Sequence, residues 1–135
     1  MRAQDIPFVN LVGIEQRENS VLLAYKKDVL NHIDSIHASA QFTLAETQSG
    51  LHLQELFPEL LGNVVPLLRE SKIKYKKPAV KSIVAEASCS SQNIAKFREQ
   101  FAKKGRATLS LNVDVKDEDG VLCAIAEFVW FVQKI

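Results

Sequence analysis

Glycine is scarce in this chain of 135 residues: there are five, at positions 13, 50, 62, 105 and 120, and no two are closer than twelve residues. That spacing excludes both glycine-rich phosphate loops, the dinucleotide fingerprint and the P-loop. Cysteine is scarcer still. Cys89 and Cys123 stand 34 residues apart with no third thiol, so neither a zinc cluster nor a redox dithiol is expected, and the pair reads as two buried reduced thiols. No metal ligand set and no cofactor are expected. Charge of one sign is also missing: 17 Lys and Arg against 16 Asp and Glu leave a net +1, too little for a nucleic-acid partner. No run of about 18 apolar residues exists, so no membrane-spanning helix is expected. The opening stretch MRAQDIPFVNLVG lacks the long apolar core of a secretory signal, and a cytoplasmic location is the expectation.

What the chain does contain suits one packed unit. Hydrophobic residues make up 47% and charged residues 24%, with no linker, low-complexity stretch or repeat, so residues 1–135 are read as a single domain. Ser20 to Lys26 is a short apolar strand, with Val12 to Gln16 as its partner across the Arg17-Glu18-Asn19 turn. From about Ser35 to Phe57 good helix formers dominate, predicting a long helix closed by Pro58, Gly62 and Pro66. Lys72 to Tyr75 alternates polar and apolar residues up to Pro78, and Ile83 to Cys89 does the same, as two half-buried strands. A short extra helix is predicted near 92–103, capped by Ser91, with Ile94, Phe97 and Phe101 on one face and Gly105 past its end. Arg106 to Lys116 is the most regular alternation in the chain. Asp119-Gly120 marks a hairpin, and Val121 to Val132 is apolar on both faces, predicting a strand covered on both sides. The class is α+β: one curved antiparallel sheet of five to six strands round a long central helix.

One segment carries the chemistry: Asn31, His37 and Glu46, in Asn31-His32-Ile33-Asp34-Ser35-Ile36-His37-Ala38-Ser39-Ala40-Gln41-Phe42-Thr43-Leu44-Ala45-Glu46. It resembles the hotdog-fold thioesterases of the phenylacetic-acid-pathway and 4-hydroxybenzoyl-CoA type. Their pattern is Asn, a turn, His-Gly-Gly, and an acidic residue nine positions after the His on a helix. The likeness extends through Tyr75-Lys76-Lys77-Pro78-Ala79, Gly105-Arg106-Ala107 and Asp119-Gly120, covering about residues 12 to 132. Here His37-Ala38-Ser39 stands for His-Gly-Gly, and Asp34 holds a turn position often occupied by Gly.

The resemblance implies hydrolysis of an acyl thioester, carried on coenzyme A or an acyl carrier protein, by a homodimer or homotetramer with sites between subunits. A helix starting near His37 presents unpaired N–H groups and a positive dipole end, so the Ala38 and Ser39 amides are the expected oxyanion donors. Glu46 is the candidate base or nucleophile, with Asn31 and His37 beside it in the motif. Lys103, Lys104 and Arg106 are candidates for the phosphates of coenzyme A, or else a solvated turn. Glu46 lies nine residues beyond His37, about 13.5 Å along the helix and on its opposite face. One chain cannot bring both to one carbonyl, so a shared site requires a second subunit.

Two other readings use the same residues. The methyl of Ala38, the hydroxymethyl of Ser39 and the charge of Asp34 fit a catalytically silent acyl-binding or interaction module. His32, fourteen residues before Glu46, has the separation of the hydroxyacyl dehydratases of this fold, without their intervening Pro and Gly. The bland roles are a structural acid at 46, a packing His at 37 and a loop-fixing Asn at 31.

Overall fold

A computed structural model describes all 135 residues. After a 3-10 turn at Ala3–Asp5, the elements are α1 (Pro7–Val12), β1 (Glu15–Arg17), β2 (Ser20–Leu23), α2 (Ala38–Leu56), β3 (Val64–Tyr75), β4 (Ile83–Ser88), α3 (Ser91–Lys104), β5 (Arg106–Asp117) and β6 (Leu122–Lys134). All six strands form one antiparallel sheet in the order β1-β2-β4-β5-β6-β3, with α2 packed on one face. The architecture matches the sequence expectation of a long helix held by a single sheet.

α2 is buried nearly all round, yet few of its residues are large. Ala40, Leu44, Ala45, Leu51 and Leu53 share the interior with Gln41, Thr43, Thr47, Gln48 and Ser49. Buried polar groups need partners, and the threonines find them within the helix. Thr43 Oγ1 donates to Ser39 O at 2.9 Å and Thr47 Oγ1 to Thr43 O at 2.6 Å. The Gln48 amide accepts from Val21 N at 3.1 Å and donates to Asn19 O at 3.0 Å, which pins the β1–β2 hairpin to the helix.

The core divides into two clusters. The larger joins α2 to β2, β4, the second half of β5 and the first part of β6 through Leu44, Leu23, Ile83, Val113 and Phe128. The smaller gathers Leu53 from α2, Phe57 just past its end, Phe97 from α3 and Leu109, Leu111 and Val132 from the sheet. Trp130 packs against both.

Four local expectations need correction. Val12 closes α1 rather than opening a strand; Pro7 at its first position and Gly13 at φ 89° past its end set its bounds. Ser90, not Ser91, caps α3, accepting from Asn93 N at 3.1 Å. β3 begins at Val64 and runs straight through Pro66, which faces Val132. Proline cannot donate to the ladder, but β3 is an edge strand and tolerates it. Finally, β6 does lie between two strands, β5 and β3, but only its α2-facing side is well buried. Ile125, Val129 and Phe131 on the other side are half-buried, with the Arg69 guanidinium 4.1 Å from the Phe131 ring.

Candidate functional site

The stretch Asn31 to His37 folds as a tight loop because Asn31 organises it. Its Oδ1 accepts from Ile33 N and Ser35 N, both at 3.0 Å, and its Nδ2 donates to Ser35 Oγ at 2.8 Å. This is the loop-fixing role. An amide NH₂ has a second hydrogen, however, and that one is unused. Asp34 sits at φ 61°, in the left-handed region, which explains why glycine suits this position in the motif. The Asp34 side chain is exposed and does not line the adjoining cleft.

α2 starts at Ala38 with His37 as its cap, and the imidazole Nδ1 accepts the Ser39 N–H at 3.0 Å. The Ala40 and Gln41 amides bond to His37 O. Ala38 N–H enters none of the chain's hydrogen bonds. Of the two expected oxyanion donors, therefore, Ala38 is free and Ser39 is taken, because a ring nitrogen two residues upstream reaches it first.

Asn31 and Ala38 line one cleft of about 250 Å³, together with Gln41, Tyr75, Lys76 and Lys77. Tyr75 Oη donates to Ala38 O at 2.9 Å and fixes the helix start against β3. The Gln41 amide donates to Ile36 O at 3.2 Å, while its Oε1, buried, has no partner and can take a hydrogen bond from a donor that enters. Lys76 and Lys77 are held at the rim by their own amides, which donate to Cys123 O at 2.7 and 3.2 Å. The Lys76-Lys77-Pro78 that follows β3 was the signal available in the sequence. Gln41 carried no signal, being one polar residue in a helix.

The other candidates lie apart from that cleft. His37 and Ser39 border a different one, shared with Phe8 and Leu11 of α1. His32 stands exposed on the turn. Lys103 and Lys104 line a polar groove of about 490 Å³ with Lys96, Gln100, Thr108 and Ser110. Thr108 and Ser110 point away from α2, so this groove opens on the opposite side of the sheet. Lys103 also pairs with Glu99 at 3.2 Å, and Arg106 is exposed at the start of β5.

Glu46 is half-buried on α2, with no ion pair and no hydrogen bond to its carboxylate. Burial without a partner raises its pKa above the ordinary carboxylate value of 4.5. Burial alone also raises the Tyr75 hydroxyl and is the main cause of the rise at Cys123, which keeps both protonated near neutral pH. No group of His, Cys, Asp and Glu side chains is arranged to hold a metal ion, and no helix is long and apolar enough to cross a membrane.

A family model described as a domain of unknown function, DUF4442, matches residues 8–132. The chain belongs to this family. No curated protein matches it in sequence. Among solved structures it is similar to a Pseudomonas aeruginosa protein of unknown function called a probable thioesterase, at 23% identity and TM-score 0.80, over 98% of this chain and 90% of that one. It is similar to a Bacillus halodurans protein solved with coenzyme A, at 22% identity and TM-score 0.72, over 93% and 74% of the two chains. A Haemophilus influenzae thioesterase matches at 16% identity and TM-score 0.72, over 94% and 82%. The fold of this DUF4442 domain is the hotdog fold that the sequence motif implied.

Proposed function

We propose that this DUF4442 domain hydrolyses acyl thioesters of coenzyme A or an acyl carrier protein at a site shared between two copies of the chain. The observation that carries the reading is Glu46: an unpaired, half-buried carboxylate with a raised pKa, about 12 Å along the helix from the free amide at its first residue, Ala38. An uncompensated buried acid costs stability, and such groups concentrate where chemistry needs them. The neighbours called thioesterases, and the one holding coenzyme A, support the same direction.

In this reading the thioester carbonyl oxygen of one copy's ligand faces Ala38 N–H and the spare hydrogen of Asn31 Nδ2. The partner's Glu46 takes a proton from water as the oxygen of that water bonds to the carbonyl carbon. The negative charge moves to the carbonyl oxygen, where the two donors hold it. Collapse of the tetrahedral centre breaks the carbon–sulfur bond, and the thiolate leaves and is protonated, giving the free acid and the thiol. Attack by the carboxylate itself is the alternative route. The edge strand β3, with Val65 and Leu67 exposed, offers the surface for a second copy.

The test is thiol release from a panel of acyl-CoA substrates, wild type against Glu46→Gln. A fall of about 100-fold or more is expected for loss of the base. Equal turnover by both proteins removes Glu46 from the reaction. The engagement of Ser39 N–H by His37 favours a second reading, the silent acyl-binding module. Tight binding of acyl-CoA with no thiol release above background decides for it.

A further inference from the structure

A cavity of about 350 Å³ lies under the second half of α2, lined by Gly50, Leu53, Phe57, Phe97, Trp130 and Val132, among others. We infer that it holds the acyl chain of the substrate and that this chain is of medium length; this inference rests on the thioesterase reading for the placement of the head group.

The placement follows from helix periodicity. Glu46, Gly50 and Leu53 lie at i, i+4 and i+7, one stripe of α2, so the carboxylate stands one turn above the first residue of the cavity. An acyl chain whose carbonyl carbon meets Glu46 therefore reaches the apolar lining one turn further along the same helix face. Gly50 begins that lining. A Cβ at this position would touch the indole, 3.4 Å from Trp130 Cζ2, so any larger side chain would take its space from the cavity. Glycine inside a helix costs about 1 kcal/mol against alanine, and no turn or positive φ calls for it here. The indole is fixed in turn: Trp130 Nε1 donates to Ser49 Oγ at 2.9 Å, and that hydroxyl donates to Glu46 O at 2.7 Å.

The lining fits hydrocarbon and little else, since most of it is aliphatic or aromatic. A dry cavity of about 150 Å³ accepts the six carbons of benzene, so 350 Å³ corresponds to roughly a dozen.

The test is binding of S-alkyl-CoA thioethers, which cannot be hydrolysed, by calorimetry across ethyl, butyl, octyl, dodecyl and hexadecyl chains. Affinity should rise about fourfold per methylene and level off near dodecyl. Gly50→Val should lower the dodecyl-to-ethyl affinity ratio at least tenfold. Leu61→Trp, at an exposed position on the cavity wall, should do the same with no demand on the core. Affinity independent of alkyl length, or a length dependence unchanged in both variants, overturns the assignment. A length dependence that the variants abolish, with no thiol release from any acyl-CoA, keeps the chain pocket and removes hydrolysis. Hydrolysis with a flat series does the reverse.

Discussion

His37 Nδ1 and Ser39 N–H, 3.0 Å apart, close the first turn of α2. The bond gives His37 a structural role, because an accepting Nδ1 carries no proton and satisfies one of the orphan amides of the helix start. His37→Ala should then cost about 1 kcal/mol, the usual worth of a cap, and His37→Ser, which can cap, should recover most of it. Denaturant unfolding of the three proteins checks this. Thioester turnover that returns in His37→Ser places His37 as a helix cap; turnover lost in both variants assigns the ring a chemical task as well.

Glu46 links activity to stability with opposite signs. Its folded-state pKa lies above the ordinary 4.5, so between those two values the folded chain binds more protons than the unfolded one. Stability therefore falls as pH rises from about 4.5 through the raised value, and above it the full penalty is present. Glu46→Gln removes the charge and should raise the unfolding temperature at pH 7, with the gain fading below about pH 4.5, where the wild-type carboxyl is neutral too. The acid limb of the pH–rate profile should sit above the ordinary carboxylate range, since the base works only when ionised. Thermal unfolding and initial rates from pH 4 to 8 read both effects. A variant destabilised at pH 7 would show that Glu46 has a partner in the assembled protein.

The fold was legible where side-chain pattern and burial agree. β5 alternates throughout, and its buried residues, Ala107, Leu109, Leu111, Val113 and Val115, are the ones its periodicity names. β3 was half missed because an edge strand with one helix-free face has no pattern to keep: Arg69 to Lys72 is polar without interruption. The helix α2 was legible from propensity, since its buried face is largely small or polar and shows no apolar stripe. At the site, the motif singled out Glu46 as a candidate and Ala38 and Ser39 as expected donors, and of those two amides only Ala38 is free. The motif could not show that His37 engages Ser39, or that Lys76 and Lys77 overlook Asn31 while Lys103 and Lys104 open on the far side of the sheet. Those relations depend on which strand ends beside which helix, and no local pattern encodes that.

Asp34 tests the loop itself. An L-residue in the left-handed region costs roughly 1–2 kcal/mol, less for Asp than for most, and glycine relieves it at an entropic cost of about 0.5–1 kcal/mol. Asp34→Gly should therefore be close to neutral in stability, and Asp34→Ala should destabilise by about 1 kcal/mol. Chemical denaturation separates them. Thiol release then isolates the charge: if the carboxylate opposes oxyanion formation at Ala38, both variants gain rate, whereas equal rates in all three proteins fit the exposed side chain turned away from the cleft.

Lys76 and Lys77 carry the last prediction. Both flank the cleft of Asn31 and Ala38, while Lys103 and Lys104 flank a groove across the sheet, so the two pairs make different claims on an anionic substrate. Cations at the rim of a site act on encounter and ground-state binding and leave the transition state to the donors inside. Lys76→Gln with Lys77→Gln should raise KM for an acyl-CoA several-fold with kcat little changed, and the effect should shrink as salt rises toward 1 M, where the Debye length is about 3 Å. The matching acyl-pantetheine, which lacks the nucleotide phosphates, should show no change. Lys103→Gln with Lys104→Gln should leave KM where it was. If the second pair moves KM and the first does not, the coenzyme reaches the site across the outer face of the sheet, and the cleft of Asn31 and Ala38 receives only the acyl end.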